Sequence, residues 1–270
     1  MEQRKMDYHL HTLHSMDGQQ TMDELCQSML ERGVQEICLT EHIEPGHPGE
    51  GIDVPPIWDV WFQEVAECRV KYPLLTIRTG VEIGDNPLCR AETKAYLDEI
   101  PFDFRLLSLH LVNGVDCYDI DKYFTGKTRT QAYREYVEAK VESVTDWLDF
   151  DSVAHIGYVA KYSAYTGPER QLVYADAPDA FDTLLKYVIE HDKCIEINTS
   201  GYGTTGDTLP HTSIIKRYIE QGGETFTFGS DSHNTDRNYA DIERAKDAVR
   251  AMGGKYQASY CQRKKTLYRI

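Results

Sequence analysis

Short apolar runs alternate with amphipathic stretches along nearly the whole chain, and most of the runs give way to a polar residue at their C-terminal ends. Met6–His11 reads as a first strand passing into a polar turn at Ser15-Met16-Asp17-Gly18. Thr21-Met22-Asp23-Glu24 has the form of a capping box, in which a hydroxyl and a carboxylate three residues apart satisfy each other's free backbone N–H groups. It predicts a helix to about Arg32, with Gly33 as its stop. Glu36–Thr40 is a second strand, running onto Glu41-His42. Residues 44–56 hold Pro45, Gly46, Pro48, Gly49, Gly51, Pro55 and Pro56, a density of breakers that marks a loop. A helix over Trp58–Lys71 stops near Pro73, and Leu75–Val81 is a third strand ending on Glu82. Asn86-Pro87 opens a helix to about Ile100, with proline at a tolerated early position.

The same rhythm continues. Phe104–Leu109 is a strand ending on His110, and after a polar loop Thr130–Trp147 carries a helical pattern. Ser152–Ala154 is a short strand ending on His155, followed by a long loop to about Ala175. Pro178–His191 predicts a helix, and Cys194–Ile197 a strand running into Asn198-Thr199-Ser200-Gly201. His211–Gln221 is helical, closed by Gly222-Gly223. Thr225–Phe228 is the seventh strand, leading into Gly229-Ser230-Asp231-Ser232-His233, and Tyr239–Met252 is the last clear helix. Seven strand-then-helix rounds imply parallel strands joined by right-handed crossovers. Short strands apolar on both faces suit a barrel, which gathers strand C-termini at one mouth. An open doubly wound sheet would spread the same ends along a line. The expectation is a distorted seven-stranded (β/α)7 barrel, TIM-barrel-like, forming one domain over residues 1–270.

Composition narrows the function classes. The chain has 270 residues, 41% hydrophobic and 27% charged, as in an ordinary globular protein. Met1-Glu2-Gln3-Arg4-Lys5 lacks the apolar core of a signal peptide, and no run approaches the ~18 apolar residues of a membrane span. Seven cysteines (26, 38, 68, 89, 117, 194 and 261) form no C-x-x-C, which fits reduced thiols in the cytoplasm. A net charge of −15 disfavours long nucleic acid. The clusters Lys127–Arg129 and Arg263-Lys264-Lys265 read as solvated faces. An acidic protein can still bind an anion where metal ions dominate the local field.

The candidate chemistry lies at the strand ends. Two histidines at i and i+2, His9 and His11, project from one side of an extended strand, and with a nearby carboxylate they can hold a first-row metal. His42, His110, His155 and His233 stand at or beside later strand ends, joined by Glu82 and Asp231. A barrel would bring all of these to one mouth. His14, His47, His191 and His211 lack that placement and are taken as structural or surface residues.

Asp7-x-His9-x-His11 with Asp17, Thr40-Glu41-His42, Gly80-Val81-Glu82, Ser108-Leu109-His110, Ala154-His155 and Ser230-Asp231-Ser232-His233 resemble the successive motifs of the polymerase-and-histidinol-phosphatase (PHP) family. They occur in that order over residues 7–233. Ala154-His155-Ile156-Gly157 and Glu196-Ile197-Asn198-Thr199 are most similar to its histidinol-phosphatase branch. The resemblance implies two or three divalent transition-metal ions, of Zn, Mn or Fe. His9, His11, Glu82 and Asp231 would hold the first and Glu82, His110 and His155 the second, with Glu82 bridging. Asp17, His42 and His233 would hold a third. It implies hydrolysis of a small phosphate monoester, with L-histidinol phosphate foremost, by attack of a metal-bridging hydroxide. Asp231 or His233 would protonate the leaving alkoxide. The arginines expected after the fifth-strand histidine and after the Asn-Thr run are replaced by Lys161 and Tyr202, which become candidate substrate-binding residues. Arg170, Arg237 or Arg90 could supply a further cation. Alternatives are a nucleotide or cyclic phosphate as substrate, and a non-catalytic metal-binding module.

Overall fold

The computed structural model describes residues 3–147 and 149–270. Its strands are β1 (Met6–Asp7), β2 (Glu36–Ile43), β3 (Thr76–Gly84), β4 (Phe104–Ser108), β5 (Leu111–Val112), β6 (Val115–Asp116), β7 (Ser152–Val153), β8 (Cys194–Asn198), β9 (Thr225–Gly229), β10 (Tyr256–Cys261) and β11 (Lys264–Arg269). The α-helices are α1 (Met22–Glu31), α2 (Trp58–Lys71), α3 (Arg90–Asp98), α4 (Ile120–Phe124), α5 (Arg129–Asp146), α6 (Tyr158–Lys161), α7 (Pro178–Glu190), α8 (Thr212–Glu220) and α9 (Ile242–Ala251). β5 and β6 form a small antiparallel ribbon, and the other nine strands make one sheet in the order β1-β2-β3-β4-β7-β8-β9-β10-β11. Every neighbouring pair in that sheet is parallel except β10–β11. The architecture is α/β with a mostly parallel central sheet.

The C-terminal hairpin β10–β11 is absent from the seven strands that the apolar pattern predicts. Its residues Gln257, Ser259, Lys264 and Lys265 interrupt any apolar run, yet Ala258 and Tyr260 are buried against Tyr8 and Phe104 in an inner cluster. Tyr8 anchors it, since the Tyr260 backbone N–H donates to the Tyr8 hydroxyl at 2.8 Å. The main hydrophobic cluster lies between helices and sheet and includes Leu25, Ile37, Trp61, Val81, Leu107, Phe181, Ile197 and Phe226.

Three departures at strand ends matter for the site. The expected first strand keeps its β2 pairing only at Met6 and Asp7. Beyond it the Thr40 hydroxyl accepts the Leu10 N–H at 3.0 Å, and the chain turns to new partners. Tyr8 N–H donates to the Phe228 carbonyl, Asp231 N–H to that of His9, and His11 N–H to that of Ser232. These bonds lay residues 8–11 against the chain leaving β9. Meanwhile β2 and β3 run further than expected, so His42 and Glu82 sit within strands and are register partners. Side chains at cross-strand partner positions project to the same face, and the pairing alone brings these two together.

Other boundaries shift for local reasons. The capping boxes Thr21–Glu24 and Thr128–Gln131 open α1 and α5. Residues 86–89 form a turn, with Asn86 Oδ1 accepting from Leu88 N–H, so α3 begins only at Arg90. Tyr239 and Asp241 have left-handed backbones (φ 58° and 60°), which delays α9 to Ile242. The polar loop after His110 contains the β5–β6 ribbon and α4, and the long loop after His155 contains α6. Gly157, at φ 115°, makes the turn into α6 that an L side chain would strain. Among the described residues no helix is long and apolar enough to cross a membrane.

Candidate metal centre

Glu82 stands at the middle of the histidines. Its Oε2 lies 3.1 Å from His9 Nε2, 3.4 Å from His11 Nε2 and 3.0 Å from His42 Nδ1. Its Oε1 lies 2.8 Å from His155 Nε2 and 3.4 Å from His110 Nε2, and accepts the Ser108 hydroxyl at 2.5 Å. Five imidazoles therefore surround one carboxylate that is fully buried. Burial alone would push the Glu82 carboxyl up, but His9, His42, His110 and His155 hold it well below its usual range.

Among the described residues, four groups of three bring ligand atoms within 4.8 Å of one another: His9, His11 and Asp231; His9, Glu82 and His155; His42, Glu82 and His110; and His11, His42 and His233. Asp17 lies at the rim, with Oδ2 3.1 Å from His233 Nε2 and Oδ1 3.7 Å from His42 Nε2. All nine expected ligands thus converge. Their grouping differs in detail, since His110 and His155 each meet Glu82 in a different triad. His42, His11 and His233 stack as parallel rings with centroids 4.3 and 4.2 Å apart. Burial, followed by the imidazoles of His233, His42 and His9, keeps His11 well below the usual histidine range, which favours a free lone pair.

The donor set fits divalent ions. His9 Nε2, His11 Nε2, His42 Nδ1, His155 Nδ1, His233 Nε2 and Glu82 Oε2 are buried and, although some lie 3.0–3.1 Å from one another or from Asp17, make no well-aligned hydrogen bond among the described residues. Buried polar atoms are normally satisfied, so six orphans in one cluster indicate groups arranged for cations. Nitrogen and carboxylate ligands without thiolate suit Zn, Mn or Fe.

Behind these atoms stands a layer that the sequence reading missed. Glu196 accepts from His9 Nδ1 at 2.6 Å and from the His155 backbone N–H at 2.7 Å. Glu44 lies 2.7 Å from His110 Nδ1, and Ser15 links His11 Nδ1 (3.2 Å) to Glu41 (2.6 Å). Asp7 accepts from the backbone N–H groups of Ser230 and Tyr239 and so holds the loop that carries Asp231. Such partners fix the tautomer of a ligating histidine and raise its basicity. A Cβ at Gly84 or Gly229 would run into Glu44 or Glu196, so both positions stay bare to admit the carboxylates. The available signal was alternation: Glu44 follows His42 by two positions, and Glu196 is a charged residue inside an otherwise apolar strand.

A cavity of about 290 Å³ opens over the cluster, lined by Asp17, His42, Glu82, His155, Asp231 and His233 at its base. Lys161 also lines it, with Nζ 2.8 Å from Asp231 Oδ2. Burial would raise the Asp231 carboxyl, but Lys161, His9 and His233 hold it well below the usual range. Arg170 reaches the cluster only indirectly. It donates to the backbone carbonyls of Ala160 and Lys161 and so braces the turn that carries Lys161. Tyr202 does not line the cavity, because its ring is covered by the Arg244 guanidinium at 3.8 Å. Arg237 lies outside the cavity, 3.7 Å from Asp241, and Arg90 is spent on Asp85 and Asp146. His47, expected to be structural or surface, lines the cavity and meets Asp116 at 3.0 Å. His14 pairs with Glu64, His191 stacks on Tyr187, and His211 caps α8, all away from the cavity.

The sequence model of the PHP domain family matches residues 7–200. A probable histidinol-phosphatase of Clostridium acetobutylicum is 34% identical over 85% of this chain and 87% of its own length. A histidinol-phosphatase of Lactococcus lactis is 27% identical over 93% of this chain and 92% of its own. The crystal structure of the histidinol phosphate phosphatase from Lactococcus lactis, complexed with zinc, L-histidinol and phosphate, superposes with a TM-score of 0.90 at 27% identity. It covers 97% of this chain and 99% of that one.

Proposed function

The chain belongs to the PHP domain family, and from that premise we propose that it is a metal-dependent phosphatase converting L-histidinol phosphate to L-histidinol and phosphate. The observation that carries this reading is the buried Glu82 with five imidazoles around it, several of whose ring nitrogens make no well-aligned hydrogen bond among the described residues. The similarity to a phosphatase crystallised with zinc, histidinol and phosphate supports the substrate. Two or three divalent ions (Zn, Mn or Fe) would be held by His9, His11, Asp17, His42, Glu82, His110, His155, Asp231 and His233. When bound, such ions supply positive charge for phosphoryl oxygens and lower the pKa of a coordinated water. We further read residues 1–270 as one domain acting in the cytoplasm, with β1 and β9 closing the parallel strands into a distorted barrel. The bonds from Tyr8 to Phe228 and from His11 to Ser232 support that closure.

The chain's own groups divide the remaining work. Glu82, with ring nitrogens within 3.4 Å of each oxygen, would be a shared ligand of the bound cations. Lys161 adds a fixed positive charge beside Asp231 and draws a phosphate oxygen toward the base of the cavity. Asp231, kept ionised by Lys161, is suited to holding a cation rather than to giving up a proton. His233 donates Nδ1–H to the Asp231 carbonyl at 3.0 Å and presents Nε2 toward the cavity. With two ions on the inner ligands, His233 Nε2 would be free to carry a proton and deliver it to the departing alkoxide; with a third ion on Nε2, His233 would be a ligand and no acid.

The test is a panel of L-histidinol phosphate, a nucleoside monophosphate, a cyclic phosphodiester and phenyl phosphate, assayed with Zn²⁺ or Mn²⁺. Histidinol phosphate should exceed the others in kcat/KM by at least about tenfold, the discrimination a few placed polar contacts provide. A nucleotide or cyclic diester turning over faster would overturn the substrate assignment.

A further inference from the structure

The outer half of the cavity differs chemically from its base. It is formed by His47 and Ile52 from the 44–56 loop, by Asp116 and Tyr118 at the β5–β6 ribbon, and by Tyr162 after α6. Gly49 N–H donates to His47 Nδ1 at 3.0 Å, so the ring carries its proton on Nε2 and donates it to Asp116 Oδ2 at 3.0 Å. That tautomer is neutral. The other carboxylate oxygen, Oδ1, accepts the Tyr118 backbone N–H at 2.7 Å. Among the described residues Asp116 pairs with no lysine or arginine, and His47 is its one ion-pair-distance partner. A carboxylate offers about four acceptor positions, which leaves about two free. Among the described lining residues Lys161 is the sole lysine or arginine, and its ammonium sits beside Asp231 and 5.8 Å from the Tyr162 ring centroid.

Aromatic faces lead to this carboxylate from the metal centre. Tyr158 packs on His110 with centroids 4.7 Å apart, Tyr162 on Tyr158 at 5.0 Å, and Tyr118 on Tyr162 at 4.8 Å. Ring faces and an unbalanced carboxylate are the two groups that recognise an organic cation, through cation–π attraction and charge-assisted hydrogen bonds. We propose that Asp116, oriented by His47, with the ring of Tyr118 forms the end of the site that selects a cationic alcohol moiety. The preferred substrates are then amino-alcohol phosphates, whose phosphate goes to the base and whose nitrogen-bearing part faces Asp116. This inference rests on the phosphatase reading and adds the residues that set its specificity.

The metal-loaded enzyme is assayed on L-histidinol phosphate and on phenyl phosphate, whose organic part carries no cationic group. Wild type is compared with Asp116→Asn and Tyr118→Leu, and metal content and melting temperature are recorded for each. Asp116→Asn should lower the histidinol-over-phenyl ratio of kcat/KM by roughly tenfold or more, mostly through KM, as expected for a lost charge-assisted bond. Tyr118→Leu, which alters an exposed ring, should lower the ratio about threefold. If both substrates fall in step in both variants, Asp116 merely pins the 44–56 loop to the β5–β6 ribbon and the proposal is wrong. Should Asp116→Asn lose metal or unfold, the Tyr118→Leu ratio decides alone. A wild type without preference for histidinol phosphate sinks the substrate reading itself. A wild-type preference that survives both substitutions sinks only the assignment to Asp116 and Tyr118.

Discussion

Glu196→Gln removes one charge from behind the metal centre while keeping the side chain's shape. In the native protein Glu196 Oε1 faces His9 Nδ1 at 2.6 Å, and Oε2 accepts from the His155 N–H (2.7 Å) and from Asn198 Nδ2 (3.2 Å). A glutamine has one acceptor oxygen, and the two donors on the Oε2 side would claim it. Its NH2 group would then point at His9 Nδ1, which must accept rather than donate. The His9 proton would move to Nε2, the atom that faces Glu82 and Asp231 and would bind an ion. Loss of a partner behind a metal ligand lowers affinity by about 10–100-fold, or about 1.4–2.7 kcal/mol. The full burial of His9 places the expectation near the upper end. The assay is competition for Zn²⁺ against a chromophoric chelator, with circular dichroism to verify folding. Glu64→Gln is the matched control, since Glu64 partners His14 at 2.7 Å away from the cavity, and it should leave affinity unchanged. A folded Glu196→Gln protein that binds zinc as the wild type does would mean that Glu196 does not set the His9 tautomer.

Two further outcomes concern lysines, one half-buried at the cavity and one fully buried. Lys161→Ala, which frees Asp231 and removes the fixed cation, should cut kcat/KM for histidinol phosphate by roughly ten- to a hundredfold at intact metal content, and unchanged kinetics would relegate Lys161 to structure. Lys140, fully buried on α5 and donating to the Leu107 carbonyl, is pushed down to about 7 by burial despite attraction from Asp85, Glu82 and Glu196. The unfolded chain then holds the proton more tightly, so stability rises as pH climbs from about 7 toward the ordinary lysine value of 10.5. Lys140→Met escapes this, and its advantage over wild type in denaturant unfolding should shrink by roughly 3–4 kcal/mol between about pH 7 and 10. A pH-independent difference would contradict the shift.

The legible part of this molecule is the part with a period. Six histidines at strand ends, together with Glu82 and Asp231, stood out because strands that are apolar on both faces make a terminal polar residue conspicuous. The same alternation places side chains two apart on one side, which fixed His9 with His11. What stayed hidden depended on chain reversals and on burial. Glu44 and Glu196 look like any acidic residue until a bare glycine on the neighbouring strand is seen to admit each one. Proximity in sequence to a motif misled for Tyr202, whose ring is taken by Arg244, and for Arg170, which braces backbone. His47 sits in a loop dense with proline and glycine, where no periodicity shows which way a side chain faces. The β10–β11 hairpin is mixed polar and apolar because it pairs at the sheet's edge, with only Ala258, Tyr260 and their neighbours reaching the inner cluster.

The most direct measurement of the central claim is elemental analysis of protein purified without chelator, paired with phosphate release from L-histidinol phosphate before and after metal is stripped and restored. More than one transition-metal ion per chain is expected, with activity abolished on stripping and recovered on adding Zn²⁺ or Mn²⁺. Protein free of metal that hydrolyses histidinol phosphate at the full rate would show that the histidine cluster does not act through bound ions.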